Sequence, residues 1–125
     1  MRCQMRWVET DTTEMFMADL LIEHAQFQVV AASRADAPEA QTADVVGMSC
    51  GFDLLAPDAR LPALEPGDVL AFLDNGAYQD ACASNFNGLP RPGTVLVSGA
   101  SAEWIKLPET VEDVFARDVI PDRLA

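Results

Sequence analysis

The sequence predicts a mainly β protein, a sandwich or partly closed barrel of about six or seven strands with one or two short helices. The 125-residue chain carries 8 prolines and 7 glycines. The segments between them are short and rich in Val, Ile, Leu and Phe, which is typical of strands. Residues 94–107 have the pattern of a β-hairpin, since two apolar segments flank the turn sequence Ser-Gly-Ala-Ser. Half of the residues are hydrophobic, so a domain of this length can bury a core.

In the first part of the chain, the strands are separated by one longer amphipathic segment. Val, Phe and Thr favour strands at residues 3–10, 26–32 and 42–47. Residues 14–24 fit either a short helix with Thr12 or Thr13 as its N-cap or an irregular connection.

Prolines mark three connections. Residues 35–41 contain Pro38 among small side chains and predict a loop. Residues 57–67 contain three prolines, so we expect no long regular element there. Residues 89–93 (LPRPG) predict a rigid connector.

The second part of the chain supplies the remaining strands. Residues 68–73 form a near-continuous apolar run, as expected of a strand that is buried on both faces. Residues 81–86 fit either a strand or a tight helix. The hairpin joins residues 94–97 to residues 102–107 through a turn at 98–101.

Residues 109–119 have apolar side chains at helical spacing. We expect a short helix that packs Val111, Val114 and Phe115 onto the sheet. Pro121 follows and ends it.

The charge balance excludes two classes of partner. The chain has 20 acidic against 8 basic residues and a formal net charge of −12. Such a surface repels phosphate backbones and anionic lipid, so we expect neither nucleic-acid nor membrane binding. A solvated, soluble surface is the simplest interpretation of this acidity.

The cysteines and the N-terminal residues indicate the compartment. Cys3, Cys50 and Cys82 are odd in number and none has CxxC spacing, so neither a disulfide framework nor a zinc site is expected. The first residues lack the apolar run of a signal peptide, and no apolar stretch reaches the roughly 18 residues that span a bilayer. These features predict a cytoplasmic protein.

Most catalytic motifs are missing from the sequence. There is no GxGxxG, P-loop, HExxH or GxSxG motif, and His24 is the only histidine, which argues against a metal site or a nucleophilic triad. Lys106 is the only lysine. If Trp104 and Lys106 share one face of their strand, then Ile105 faces the core and Lys106 faces water, where its amine is unsuited to Schiff-base chemistry.

Three ordered blocks carry a resemblance to a known family. They are residues 46–50 (VGMSC) with 53–55, residues 61–62 with 66–70, and residues 74–78 (DNGAY) with 83–88 (ASNFNG) and 90–92. The stretch 45–121, including the tail 109–117, resembles the C-terminal domain of the diaminopimelate, ornithine and arginine decarboxylase family, which are fold-type III pyridoxal-phosphate enzymes. Residues 1–44 match less clearly and are interpreted as the approach into the same β-domain, so residues 1–125 are expected to form one domain.

The resemblance implies a division of labour. Family members hold pyridoxal phosphate on a lysine of an N-terminal (β/α)8 barrel. Their C-terminal domain is a Greek-key β-barrel or sandwich, like that of alanine racemases, and covers the barrel mouth. They are usually head-to-tail homodimers. This chain is therefore expected to need a barrel partner and to bind no cofactor alone.

Tyr78 matches the family's tyrosine whose hydroxyl contacts the cofactor phosphate. A phenol on a Gly-Ala turn is a suitable donor to a phosphate oxygen, and Gly76 and Ala77 would leave room for close approach. The alternative for Tyr78 is a half-buried tyrosine at a sandwich edge.

Cys50 matches the cysteine that reaches the partner subunit's site and helps direct protonation after carbon dioxide leaves. The alternative is a small buried hydrophobe. Asp53 matches an aspartate that is structural or close to the substrate, although the family's spacing is usually one residue longer. Gly51 stands where enzymes that bind a distal amine often carry an acid, and Phe52 could make the substrate pocket more apolar.

Phe86 and Asn87 match an FN pair that lies near the family's site. Core packing and a turn are the alternative roles.

The sequence is compatible with two functions. The first is the β-domain of a split or truncated decarboxylase, and the second is a stand-alone, non-catalytic binding or dimerisation module. A fragment cut from a longer enzyme would share the features of the first.

Overall fold

The computed structural model describes residues 6–51 and 53–124. They form two compact units, the first ending at Ala83 and the second beginning at Ser84. The described strands are β1 (Trp7–Glu9), β2 (Val29–Ala31), β3 (Gln41–Val46), β4 (Leu54–Leu61), β5 (Leu70–Phe72), β6 (Thr94–Ser98) and β7 (Ser101–Lys106). The α-helices are α1 (Ala18–Ile22), α2 (Gln79–Cys82) and α3 (Val111–Phe115). The predicted class, mainly strands with few short helices, is confirmed.

The first unit is built on two small sheets. In the first, β3 pairs in parallel with β1, Trp7 opposite Asp44, and antiparallel with β4, Gln41 opposite Leu61. In the second, β2 pairs antiparallel with β5, Val29 opposite Phe72. Closure of these sheets into a barrel stays a prediction.

The core of the first unit lies between these sheets. Val45 of β3 and Leu55 and Leu61 of β4 are fully buried, and Met17 and Val29 join them. The alternation of apolar and polar side chains along β3 places Ala43 and Val45 inward, as a half-buried strand requires.

As predicted, no regular element spans residues 57–67, but β4 continues through Pro57 to Leu61, which the prolines did not indicate. The register shifts between Ala43 and Val45 of the partner strand, and this irregularity accommodates Pro57 and Asp58. Asp58 has φ 51°, and its N–H donates to the side chain of Asp44 at 3.0 Å. Among the described residues β4 is an edge strand, where a proline costs no ladder bond on the open side.

The segment 14–24 is helical but divided. Thr13 caps a 3₁₀ turn over Glu14–Phe16, its hydroxyl accepting from the Met15 N–H at 3.3 Å. Met17 leaves helical geometry at φ −125° and ψ 62°, and α1 follows it. The N-cap prediction at Thr13 is therefore confirmed, with a break that the sequence pattern did not indicate.

Two predictions for the end of this unit are resolved. Residues 68–73 contain β5, but the expected burial on both faces is wrong, since β5 is half-buried and Val69 is 59% exposed. The reason is that β5 has β2 as its only strand neighbour within the described residues. Residues 81–86 belong to no strand, and α2 occupies Gln79–Cys82.

The second unit contains the predicted hairpin, which is confirmed. β6 and β7 meet at a two-residue turn in which Gly99 has φ 59°. Thr94 lies opposite Lys106, and the next residue, Val95, lies opposite Trp104, so Ile105 is an extra residue on β7. This bulge breaks the alternation, and the predicted orientations are wrong: Ile105 is 63% exposed and Lys106 is partly buried.

The predicted closing helix is confirmed as α3, but its predicted packing is wrong. Thr110 and Asp113 form a capping box at its start. Val111 is 56% and Phe115 is 50% exposed. The Phe115 ring extends towards Gly88, 3.3 Å from where a Cβ would stand on that residue, instead of onto a strand.

Candidate functional site: the cysteine loop and the tyrosine turn

Cys50 lies in the loop that connects β3 to β4. The Gly47 N–H donates to the Asp53 carbonyl at 2.8 Å and closes this loop at its base. A Cβ on Gly47 would stand 2.6 Å from the Asp53 carboxylate and 2.7 Å from the Thr12 carbonyl, so only glycine permits this approach. The Cys50 side chain is exposed, which contradicts the alternative of a buried hydrophobe within this chain.

The Asp53 carboxylate pins the loop to the N-terminal segment. It accepts hydrogen bonds from the Thr13 hydroxyl at 2.8 Å, the Glu14 N–H at 3.0 Å and the Ser49 N–H at 2.5 Å. Asp53 is only 3% exposed. We call these four residues the Asp53 clamp.

The clamp keeps its central carboxylate ionised. Burial by itself would raise the pKa of Asp53, but the backbone N–H groups of Glu14 and Ser49 and the hydroxyls of Ser49 and Thr13 stabilise the charged form. The net effect lowers the pKa of Asp53 below its ordinary value of 3.8. Asp53 therefore acts on the loop as a fixed acceptor.

Glu14 adds a second carboxylate beneath the loop. A Cβ on Gly51 would stand 2.9 Å from Glu14 Oε1, so the residue after Cys50 lies directly on this side chain. Burial, and next the charge of Asp53, raise the pKa of Glu14 above its ordinary 4.5. Phe52, the remaining predicted substrate contact, lies outside the described residues.

Gly76, Ala77 and Tyr78 form an exposed turn between β5 and α2. Tyr78 is 52% exposed and has φ 61°, a left-handed conformation that is costly for a bulky side chain. A Cβ on Gly76 would meet nothing within 4 Å. An open turn with a presented phenol suits a phosphate group, which needs rigid donors and close access.

The loop and the turn are attached to the same short segment, residues 13–18. Thr13 and Glu14 hold the cysteine loop through Asp53. The Ala18 N–H donates to Gln79 Oε1 at 3.2 Å, directly after Tyr78, and Gln79 also bonds Asn75 across the turn. Both candidate elements are thus positioned by one piece of chain.

Phe86 lies in the second unit and begins a 3₁₀ turn over Phe86–Gly88. It is partly exposed, and Asn87 has φ 60°. Lys106 lies in the same unit, on β7.

Within residues 6–51 and 53–124, no group of three or more His, Cys, Asp or Glu side chains is arranged to hold a metal ion. None of the helices described there is long and apolar enough to cross a bilayer.

The structure is thus a sheet protein with an exposed cysteine loop and an exposed tyrosine turn, and its one lysine lies on the β6–β7 hairpin. The family of pyridoxal-dependent decarboxylases supplies the match: the sequence model of its C-terminal sheet domain covers residues 6–76. The chain belongs to this family. The match includes β1 and α1, from the N-terminal third that we interpreted as an approach segment.

Curated relatives are full enzymes. The chain is 39% identical over 99 residues to the diaminopimelate decarboxylase of Synechocystis, covering 78% of this chain and 21% of the relative. It is 38% identical over 98 residues to that of Archaeoglobus fulgidus, covering 78% and 23%. The chain thus spans between a fifth and a quarter of the length of these two relatives.

Solved structures give the same result. Diaminopimelate decarboxylase of M. jannaschii, in complex with L-lysine, matches with a TM-score of 0.86 and 31% identity over 95% of this chain and 27% of that one. The Helicobacter pylori enzyme, also with L-lysine, matches with a TM-score of 0.81 and 28% identity over 92% and 28%.

Sequence reasoning identified Asp53 but missed three of the clamp residues, Thr13, Glu14 and Ser49. Thr13 was recognised only as a possible N-cap. The interaction that completes the clamp spans 40 residues, and local patterns do not reveal such pairs.

Proposed function

We propose that this chain is the β-domain of a pyridoxal-phosphate-dependent amino-acid decarboxylase and completes an active site whose barrel portion carries the cofactor lysine. The observation that supports this most directly is the joint anchoring of the Cys50 loop and the Tyr78 turn on residues 13–18. Such anchoring fixes two presented side chains relative to one support, as a site shared between two domains requires.

Pyridoxal phosphate, when bound to the barrel, supplies the electron sink for loss of carbon dioxide. The chain's own residues have simpler tasks. The Tyr78 hydroxyl donates a hydrogen bond to the cofactor phosphate, and Gly76 and Ala77 leave it space. The Cys50 thiol holds a proton at Sγ for delivery to the substrate, and Asp53 positions the loop on which Cys50 stands.

Phe52 and Phe86 are proposed to contact the substrate. The relatives named above are diaminopimelate decarboxylases, so diaminopimelate is the first substrate to test. Gly51 has no carboxylate that could bind a distal ammonium group of the substrate. An amino acid with a less polar side chain is therefore the second substrate to test.

We propose a homodimer of the complete enzyme, in the cytoplasm. Apolar side chains on the hairpin and the tail support burial against another surface: Val97, Trp104, Ile105, Leu107, Val119 and Ile120 are all exposed in the second unit. Neither Cys50 nor Cys82 is in a disulfide, as a reducing compartment favours.

The same exposed side chains favour a second candidate, a stand-alone dimerisation module. Sedimentation of the isolated chain separates the two. A tight homodimer that buries the hairpin supports the module, and a monomer that acquires a partner only with a barrel subunit supports the decarboxylase.

The test is reconstitution with a barrel subunit encoded beside this chain. We expect the visible absorbance of bound pyridoxal phosphate in the barrel, and release of carbon dioxide only in the mixture. Cys50→Ala should lower the turnover, and Cys82→Ala, at the other exposed cysteine, is the matched control. If the chain alone turns yellow with the cofactor and releases gas, or if no mixture is active, the proposal is wrong.

A further inference from the structure

The dipeptide Asn-Gly occurs twice in the chain, at residues 75–76 and 87–88. Asparagine is a chemically labile residue, and a following glycine makes it more so, because no side chain shields the glycine nitrogen. That nitrogen can attack the amide carbon of the asparagine and form a cyclic succinimide. The two pairs are alike in sequence, so the structure around each decides how readily it reacts.

The pair at residues 75–76 lies open in the turn between β5 and α2. Gly76 is exposed and Asn75 is partly buried. A Cβ on Gly76 would meet nothing within 4 Å, so the backbone is uncrowded there. The Gly76 N–H donates to no acceptor among the residues that the structure describes. Its nitrogen is therefore available as a nucleophile.

Gln79 adds a feature that the dipeptide alone does not provide. Its Nε2–H donates to the Asn75 side-chain oxygen Oδ1, and its Oε1 accepts from the Ala18 N–H at 3.2 Å. The second contact fixes the Gln79 amide and thereby the position of its donor. Attack on Asn75 Cγ places negative charge on Oδ1, and a fixed donor at that oxygen stabilises the charge as it develops.

The pair at residues 87–88 is protected in the same structure. The Gly88 N–H donates to the Asn85 carbonyl at 2.9 Å, so the nitrogen is held in a 3₁₀ turn. A Cβ on Gly88 would stand 3.3 Å from the Phe115 ring, which covers this backbone. The chain thus contains an open and a closed Asn-Gly pair for comparison.

We propose that Asn75 is a site of deamidation, promoted by Gln79, through which the turn that carries Tyr78 acquires a carboxylate. The Gly76 nitrogen bonds to Asn75 Cγ, the Cγ–Nδ2 bond breaks, and ammonia leaves with the peptide proton. Water then opens the succinimide. Addition of water at Cγ gives aspartate, and addition at the main-chain carbonyl carbon of residue 75 gives isoaspartate, which puts an extra methylene into the backbone.

Either product changes the charge of the turn. The new carboxylate stands next to Asp74, which is exposed, and isoaspartate also displaces the backbone that leads to Tyr78. On the proposed function, this turn meets the phosphate of pyridoxal phosphate, and the added negative charge repels it. This consequence rests on the proposed function, whereas the deamidation does not.

The test follows the full chain during incubation at neutral pH in water enriched in heavy oxygen. Peptide mapping by mass spectrometry should find heavy oxygen at residue 75, in both aspartate and isoaspartate. We expect the reaction at residue 75 to be at least about tenfold faster than at residue 87. Gly76→Ala should slow it by a similar factor, because a methyl group fits there but shields the nitrogen.

Gln79→Glu separates the role of Gln79 from that of the dipeptide. Glutamate keeps an oxygen for the Ala18 N–H but has no N–H for Asn75 Oδ1, so the reaction at residue 75 should slow by roughly threefold or more. Gln26→Glu makes the same charge change at an exposed position between α1 and β2, and it should leave the rate unaltered. Gln79→Met, which adds no charge, replaces Gln79→Glu if that variant does not fold and should also react more slowly.

The proposal is overturned if residue 75 keeps its amide, if residue 87 reacts as fast, or if the folded Gln79 variants react at least as fast as the unaltered chain. The consequence for the cofactor is measured separately. Asn75→Asp, which mimics one product, should weaken pyridoxal phosphate in the reconstituted enzyme by roughly threefold or more, and an unchanged titration would contradict the repulsion. If no barrel mixture is active while residue 75 still deamidates, the proposed function is wrong and the modification site is supported.

Discussion

The Asp53 carboxylate accepts a 2.8 Å hydrogen bond from the hydroxyl of Thr13, a residue 40 positions earlier in the chain. Through this contact the loop that carries Cys50 is attached to the segment that also supports the Tyr78 turn. Substitutions at the clamp should therefore affect both stability and the geometry of the site.

Asp53→Asn should destabilise the chain by roughly 2–4 kcal/mol, because an amide cannot accept from all three donors and leaves buried N–H or O–H groups without partners. Urea unfolding measures the difference. Asp36→Asn, at an exposed loop position, is the control and should change little. Equal midpoints for the two variants would show that the clamp does not stabilise the fold.

The pH dependence of the clamp follows from the same carboxylate. The pKa of Asp53 is lower in the folded chain than its ordinary 3.8, so its contribution is present above that value. The contribution is lost as the pH falls through the folded pKa. Unfolding free energies measured from pH 6 downwards should converge for Asp53→Asn and the unaltered chain in the acid range.

Glu14→Gln should have the opposite dependence. The pKa of Glu14 is raised in the fold, so the ionised form is penalised once the pH exceeds the folded pKa. The variant should be more stable at pH 7 by less than about 1 kcal/mol after solvent screening, and the gain should vanish below the ordinary pKa of 4.5. Glu23→Gln, exposed at the end of α1, serves as the control, and a gain that persists at pH 3 would contradict the assignment.

Tyr78→Phe should weaken pyridoxal phosphate in the reconstituted enzyme by roughly 1.5–3 kcal/mol, the value of one hydrogen bond to a charged group. Cofactor titration measures it. The urea midpoint of the isolated chain should not move, because Tyr78 is exposed there. An unchanged titration would remove the phosphate role from this tyrosine.

Glu109→Gln should loosen the connector in the second unit. Hydrogen bonds from the Arg91 side chain and backbone, and then from Asn85, lower the pKa of Glu109 from 4.5 to about 2. Its contribution is therefore complete above pH 4.5 and is lost as the pH falls towards 2. Hydrogen exchange at the Arg91 amide, which donates to Glu109 at 2.9 Å, should accelerate in the variant and not in Glu112→Gln.

The sequence indicated local elements well and orientations less well. The hairpin was predictable because its turn chemistry and its alternation agree. The side from which Ile105 and Lys106 project was not, since the bulge at Ile105 follows from pairing with Thr94 and Val95 and leaves no mark in the strand's own pattern.

The prolines of residues 57–67 concealed the second half of β4 from the sequence-based prediction. Pro57 is accommodated because the neighbouring β3 slips in register and Asp44 satisfies the Asp58 N–H. The rule that prolines interrupt strands considers one segment alone, and it does not include the neighbouring strand whose register shift makes room for the proline. The candidate site was predictable in part. Resemblance to the family identified Cys50, Asp53 and Tyr78, but the partners of Asp53 depend on tertiary contacts that no single segment reveals.

The parallel pairing of β1 with β3 gives the chain an order of assembly. Residues on β1 meet partners dozens of positions later, Trp7 beside Asp44, whereas β3 and β4 are joined by a short loop and can form first. Closing a long loop costs conformational entropy before the new contacts stabilise it. We therefore expect β1 to pair only after β3 and β4 have formed. Since β1 precedes β3 and β4 in the chain, we expect its pairing with β3 to wait until both later strands have been synthesised.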